Sequence, residues 1–308
     1  MPVLGVSAFA LEVPQLDAGV KFYTDAGLEP VLDGATARFR CPGHAQESVL
    51  LLGGARSKRL HHVRLRADGL DAIALKVEPG GGRIVDAPQG CASNGLWLRD
   101  PHDTLFHLSP EPEDTPPPKA PLFQINAPGR IVRSRRSAVR PVGSYPAVRP
   151  LKLGHVVLFT PAVMRSVAFA TDVFGMGLAD RSEEFVAFCC AKTNSDHHVL
   201  AFGKSAGIGF HHGSFQVSDP DEVGRGGRAL LEKTGGSDWG FGRHTIGSNF
   251  FHYIQDPWGS WFEYYADMDF IDDYSLWRPT NFAPEDSLAN WGPPPPASFM
   301  YNSEVEKA

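Results

Sequence analysis

The chain of 308 residues is short of cysteine, short of positive charge and without a long apolar run. Its four cysteines, Cys41, Cys91, Cys189 and Cys190, form no C-x-x-C pair. A disulfide between the adjacent Cys189 and Cys190 would close a strained ring, so reduced thiols in the cytoplasm are expected. Lysine and arginine total 29 against 35 acids, a net charge of -6, which excludes a general nucleic-acid binder with a basic face. No stretch approaches the roughly 20 apolar residues of a spanning helix. The opening MPVLGVSAFALEV lacks the basic region and long apolar run of an export signal. Other signatures are missing too. There is no Ser-His-Asp set at credible spacing, no P-loop and no dinucleotide turn, and Gly80-Gly81-Gly82 lacks the strand, lysine and helix that would make it one. A soluble protein with neither membrane nor nucleic-acid partner is expected.

What the chain does contain is an internal repeat. Residues 4–108 and 153–265 share one order of features. Leu4-Gly5-Val6 parallels Leu153-Gly154-His155, Leu60-His61-His62 parallels Phe210-His211-His212, and the Asp100-Pro101 turn parallels Asp256-Pro257. Each half reads as a strand, a helix and three strands, followed by a second unit of the same kind. The second helix of the C-terminal copy falls near Asp221–Lys233. The class is α+β, with two such units per domain curling around a central cavity. The division expected is a domain over 1–110, a Pro- and Arg-rich linker over 111–150, a domain over 151–266 and a tail over 267–308. The linker arginines, Arg130, Arg133, Arg135, Arg136 and Arg140, read as a solvated connector rather than an anion patch. The tail reads as extended chain packed on its own domain or a neighbouring subunit, or closing a pocket.

Chemistry concentrates in the second half. His155, the pair His211-His212 and Glu263 lie on three separate predicted strands, and two imidazoles with one carboxylate can hold one face of an octahedral metal while leaving other positions open. Alternation puts Trp261, Glu263 and Tyr265 on one face of their strand and Phe262 and Tyr264 on the other. A carboxylate among large aromatics needs a partner, and a divalent cation would keep it ionised. His211 and His212 should point to opposite faces, so that only one reaches the metal, and the residues alone do not choose between them. His197 and His198 pose the same problem. His252 is expected at the surface or supporting the site from behind.

At these residues the chain resembles the vicinal oxygen chelate superfamily and, within it, the type I extradiol ring-cleavage dioxygenases. The resemblance runs in order from residue 4 to residue 265. It implies tandem βαβββ modules forming two barrel-like domains. It also implies a mononuclear Fe(II) held by His155, His212 and Glu263, a ligand set that Mn(II) accepts as well. Further matches are His198 ahead of the apolar strand Val199–Phe202, His244 in Gly240-Phe241-Gly242-Arg243-His244, and Tyr253 in the strand before Glu263. The implied reaction is cleavage of a catecholic ring by dioxygen in the catabolism of aromatic compounds, by a homo-oligomer, dimeric or tetrameric. His198 would serve as acid and base on the oxygen atoms, Tyr253 would orient or deprotonate a substrate hydroxyl, and His244 would hydrogen-bond the other oxygen or a ring substituent.

Where the homoprotocatechuate branch carries an arginine, this chain has Trp239, which favours an apolar, nitro- or alkyl-substituted catechol. Trp239 and Phe250, with Trp258, Trp261 and Trp277, are candidate aromatic walls. The N-terminal repeat departs from the metal pattern. Val6 is read as the counterpart of His155 and His107 as that of Glu263, so this half is expected to be a structural partner without a metal site. Within the same superfamily, a glyoxalase-like lyase or isomerase would build its site from both repeats. A non-catalytic aromatic-binding protein would have no reason to keep the three ligands.

Overall fold

Two turns of identical chemistry occupy the same place in two copies of one sheet. Asp100 Oδ1 accepts from the amides of His102 and Thr104, and Asp256 Oδ1 accepts from those of Trp258 and Ser260. In each, the side-chain oxygen takes amides that a tight turn leaves without backbone partners. The computed structural model describes residues 3–111 and 145–305. The proline and arginine clusters expected of a linker fall on 112–144, outside the described residues.

The first module runs β1 (Val3–Val13), α1 (Leu16–Asp25), β2 (Glu29–Asp33), β3 (Thr36–Arg40), β4 (Val49–Gly53), β5 (Arg59–Ala67), α2 (Leu70–Val77), β6 (Arg83–Ile84), β7 (Leu96–Arg99) and β8 (Leu105–Ser109). The second runs β9 (Lys152–Thr160), α3 (Val163–Asp172), β10 (Gly177–Ser182), β11 (Val186–Cys190), β12 (Thr193–Asp196), β13 (Leu200–Lys204), β14 (Gly209–Gln216), α4 (Pro220–Thr234), β15 (Asp238–Arg243), β16 (Phe250–Gln255) and β17 (Trp261–Ala266). A short β18 (Phe270–Asp273) pairs with β12. The two eight-stranded sheets have matching orders, β2-β3-β4-β1-β5-β8-β7-β6 and β10-β11-β13-β9-β14-β17-β16-β15. Each is a pair of βαβββ units joined through its two central antiparallel strands, as the repeat predicts.

Helix α4 shows why the chain turns helical where it does. Asp219 caps it by accepting from the Glu222 amide, Glu222 accepts from the Ser218 amide, Pro220 opens the first turn, and Gly235 ends the helix at φ 63°. Small residues bring α4 close to the sheet face that carries Tyr264 and His252, since a Cβ on Gly226 or Gly227 would meet those side chains. The opposite face, with Tyr253 and Glu263, is left for the site.

One apolar core joins the modules. Phe9 stacks on Phe210 at 4.5 Å, and a Cβ on Gly213 would stand 2.4 Å from the Phe9 ring. The Tyr264 hydroxyl donates to the Ala26 carbonyl across the same junction. No helix among the described residues is long and apolar enough to cross a membrane. None of the four cysteines is in a disulfide, and burial pushes the Cys190 thiol up to about 11.

Strand pairing corrects one alignment. Ser214 pairs with both His155 and Glu263, and its counterpart Arg64 pairs with Ala8 and His107. The residue in the His155 place is therefore Ala8 rather than Val6, which takes the place of Leu153 across the same bulge in both strands, so matching Gly5 to Gly154 sets the two strands two residues out of step.

Candidate active site

His155 on β9, His212 on β14 and Glu263 on β17 come from three adjacent strands of one sheet. Their facing atoms lie close together. His155 Nε2 is 3.1 Å from Glu263 Oε2, His212 Nε2 is 3.5 Å from the same oxygen, and the two nitrogens are 3.4 Å apart. Donors bonded to one cation at about 2.1 Å with right-angle geometry sit about 3.0 Å from each other, so the triangle is the right size for a single divalent ion. All three side chains are buried, and Glu263 Oε2 accepts no hydrogen bond from the protein. That leaves a desolvated anion with an open lone pair, a feature whose cost a bound cation removes. Burial would raise the Glu263 carboxyl, but the imidazoles of His155, His244 and His212 more than reverse this and hold it well below the usual range. Gly154 permits the arrangement, since a Cβ there would stand 1.9 Å from the Tyr265 hydroxyl beside His155.

The His-His pairs do not alternate as expected. A bulge between Phe210 and His212 puts His211 against the same cavity as His212, with their Nδ1 atoms 2.5 Å apart. His211 Nε2 lies 2.8 Å from the Phe299 carbonyl, which can only accept, so the proton sits on Nε2 and His211 Nδ1 is the acceptor. His212 then donates from Nδ1 and presents a bare Nε2 to Glu263 and His155. Geometry thus separates the pair, with His212 toward the donors and His211 behind it. Burial lowers both, His211 to about 4.

Around the triangle lies a cavity. His198 lines it, its ring 4.2 Å from that of His155, while His197 is fully buried away from it against Asp180. His244 and Tyr253 also line it and are joined at 2.8 Å. His244 donates from Nδ1 to the Leu288 carbonyl at 2.5 Å, so its Nε2 accepts from the Tyr253 hydroxyl. Burial first, and then the charge of Glu263, raise Tyr253 well above the ordinary tyrosine value. Burial, together with His155 and the other neighbouring imidazoles, lowers His198 well below the histidine value.

Two expected walls lie elsewhere. Phe250 packs with Phe241 and Trp291 on the far face of β16, because it is an odd number of residues from Tyr253 and strand side chains alternate. Trp239 stacks behind Tyr253 at 5.3 Å and donates to the Pro293 carbonyl, supporting the wall without lining the cavity. Trp258, Trp261 and Trp277 do not line it either. The apolar lining includes Phe188, Ile246, Leu288, Phe299 and Met300, three of them in the tail. The tail therefore covers the site of its own chain. Asn249, which the sequence reading missed, donates to Glu263 Oε1 at 3.2 Å. Its one local signal is the loop before it, where Gly247 and Ser248 have φ of 82° and 59°. His252, expected at the surface or behind the site, is buried under α4 with Nε2 on Asp238.

The family model of the Glyoxalase/Bleomycin resistance protein/Dioxygenase superfamily matches residues 152–264, the module that holds this site. Metapyrocatechase 2 of Cupriavidus necator is 37% identical over 98% of this chain and 93% of its own. A Mn(II)-bound glyoxalase from Novosphingobium aromaticivorans superposes with TM-score 0.72 at 26% identity, covering 99% of this chain and 98% of that one. Homoprotocatechuate 2,3-dioxygenase from Arthrobacter globiformis shares the fold, with TM-score 0.77 at 19% identity over 98% of this chain and 91% of that one. With tandem modules in matching strand order and a full-length relative of this kind, the chain belongs to the vicinal oxygen chelate superfamily and to its extradiol dioxygenases.

Proposed function

We propose that the chain cleaves a catecholic ring beside its diol with dioxygen, using Fe(II) held by His155, His212 and Glu263. The observation that supports this most is the triangle of donor atoms 3.1 to 3.5 Å apart at the floor of an apolar cavity, drawn from one module alone. A glyoxalase-like site assembled from both modules does not fit that placement, although a Mn(II)-bound glyoxalase shares the fold.

When bound, the ion supplies a positive charge that favours the deprotonated diol and a redox centre with open positions beside it. The chain's own groups do the rest. Tyr253 stays a phenol, given the burial and the neighbouring Glu263 that hold its pKa up, so it orients substrate rather than taking a proton. Its O–H is engaged by His244, which leaves its oxygen to accept from a substrate hydroxyl. His198 is neutral in its buried setting and offers the cavity a base that can return the proton later. Phe188, Ile246, Leu288 and Phe299 exclude water and pack an aromatic ring. No lysine or arginine is among the described lining residues, which favours catechols with apolar or uncharged substituents over carboxylated ones.

Anaerobic loading with Fe(II), followed by oxygen uptake and visible absorbance with a panel of substituted catechols, tests the proposal. Stoichiometric uptake with a new yellow product, lost in His212→Ala, is expected. Iron binding without turnover across the panel would overturn it. Loading with Mn(II) in parallel ranks the two metals.

A further inference from the structure

The second module contains two adjacent histidine pairs built alike, and they differ in how they end. In each, the two Nδ1 atoms face each other, 2.5 Å apart for His211 and His212 and 3.0 Å apart for His197 and His198. The outer member of the first pair ends on the Phe299 carbonyl, a neutral acceptor. The outer member of the second ends on a carboxylate, with His197 Nε2 lying 2.7 Å from Asp180 Oδ2. His197 is wholly buried and Asp180 nearly so. Either acceptor fixes the proton of the outer ring on Nε2 and so decides which nitrogen that ring turns to its partner, but a carboxylate, unlike a carbonyl, can be exchanged for a donor by substitution.

We propose that His197 and Asp180 are positioning residues that fix the tautomer of His198, an inference that rests on the ring-cleavage reading above. Asp180 accepts from the Thr280 amide on Oδ1 and from His197 Nε2–H on Oδ2. His197 Nδ1 is then a bare acceptor, so the hydrogen between the rings belongs to His198 Nδ1. His198 Nε2 is left unprotonated, the state required of a base. The backbone holds His197 in place, its amide donating to the Asp269 carbonyl at 2.7 Å, and Trp277 packs against its ring edge to face.

Asp180→Asn is the discriminating variant, because the Thr280 amide demands an acceptor and so turns the Asn amide nitrogen toward His197. Both rings must then reverse their tautomers, which places the hydrogen of His198 on Nε2. Ring 15N resonances of the full chain loaded with diamagnetic Zn(II) report this directly. The wild type should show His198 protonated at Nδ1 and bare at Nε2, and Asp180→Asn the reverse. In the Fe(II) enzyme, the variant should lose about 10- to 100-fold in kcat, the range seen when supporting partners of site histidines are removed, with KM for the catechol unchanged. His198 protonated at Nε2 in the wild type, or a variant with unaltered tautomer or kcat, would overturn the assignment. The wild-type spectrum decides even where the variant fails to fold. It also decides where no catechol is turned over, the outcome that would sink the ring-cleavage reading instead.

Discussion

The two modules carry the same sheet and put opposite things at its centre. In the C-terminal one, Ser214 lies between His155 and Glu263 and leaves room for a cation. In the N-terminal one, the same place holds Arg64, whose guanidinium reaches Glu47 and Glu111. Ala8 stands for His155 and His107 for Glu263, with Trp97 stacked on His107 at 4.3 Å where Tyr253 faces Glu263. His61, His62 and Cys91 do bring donor atoms within 4.8 Å of one another. They lack a carboxylate, however, and burial first, then His61 and Arg64, lower His62. A duplicated fold can thus keep one copy for chemistry and fill the other with its own cation.

The comparison breaks or holds on metal content. Glu263→Ala should abolish turnover and weaken metal binding beyond the about 100-fold typical of lost outer partners, whereas His62→Ala should leave one metal per chain and full oxygen uptake. Elemental analysis with uptake assays checks both. It sharpens further if the triple change Ala8→His, Arg64→Ser and His107→Glu raises the content toward two per chain.

Next in size is the clamp between modules. Glu304 pairs with Lys58 at 2.6 Å and accepts from the amides of Leu60 and Phe210, all in a buried setting. Glu304→Ala strands the ammonium and should cost about 3–5 kcal/mol in denaturant unfolding.

Acid tests the neutral histidines. The unfolded chain protonates His211 near its ordinary value of 6.5 and the folded chain only near 4, so the folded state binds fewer protons between those values. Stability is therefore full above about pH 6.5 and falls as pH drops toward 4, by on the order of a few kcal/mol. Thermal melts from pH 7.5 to 4.5 should show that decline, and His211→Gln should flatten it.

The smallest contrast separates the cavity from its outer face. Phe299→Ala should raise KM for an apolar catechol, while Phe250→Ala should cost about 1–2 kcal/mol of stability and leave KM alone.

Much of this was legible because it is local. The Leu-Gly-His start, the His-His pair and the Asp-Pro turn ahead of Glu263 each carry their own geometry, and strict alternation sorts Glu263 from Phe262 correctly. The same rule misplaced His211, because a bulge adds a residue that no local pattern announces. Phe250 failed for the opposite reason: alternation applied from Tyr253 would have excluded it. Ala8 was hidden because the two Leu-Gly dipeptides, alike in sequence, do not occupy the same place in their strands. Leu288, Phe299 and Met300 were out of reach altogether, since what brings a tail onto a cavity is packing between segments far apart in sequence.

That tail has a consequence in time. Its carbonyls at Leu288 and Phe299 set which nitrogen of His244 and His211 holds a proton, and Glu304 locks it to both modules. These residues follow both modules in the chain, so a ribosome makes the strands that bear His155, His212 and Glu263 before it makes the groups that orient their neighbours. A nascent chain can gather the three donors early, but it has no closed, correctly protonated pocket around them until the clasp emerges. Closure of the pocket therefore follows the gathering of its donors in the order of synthesis.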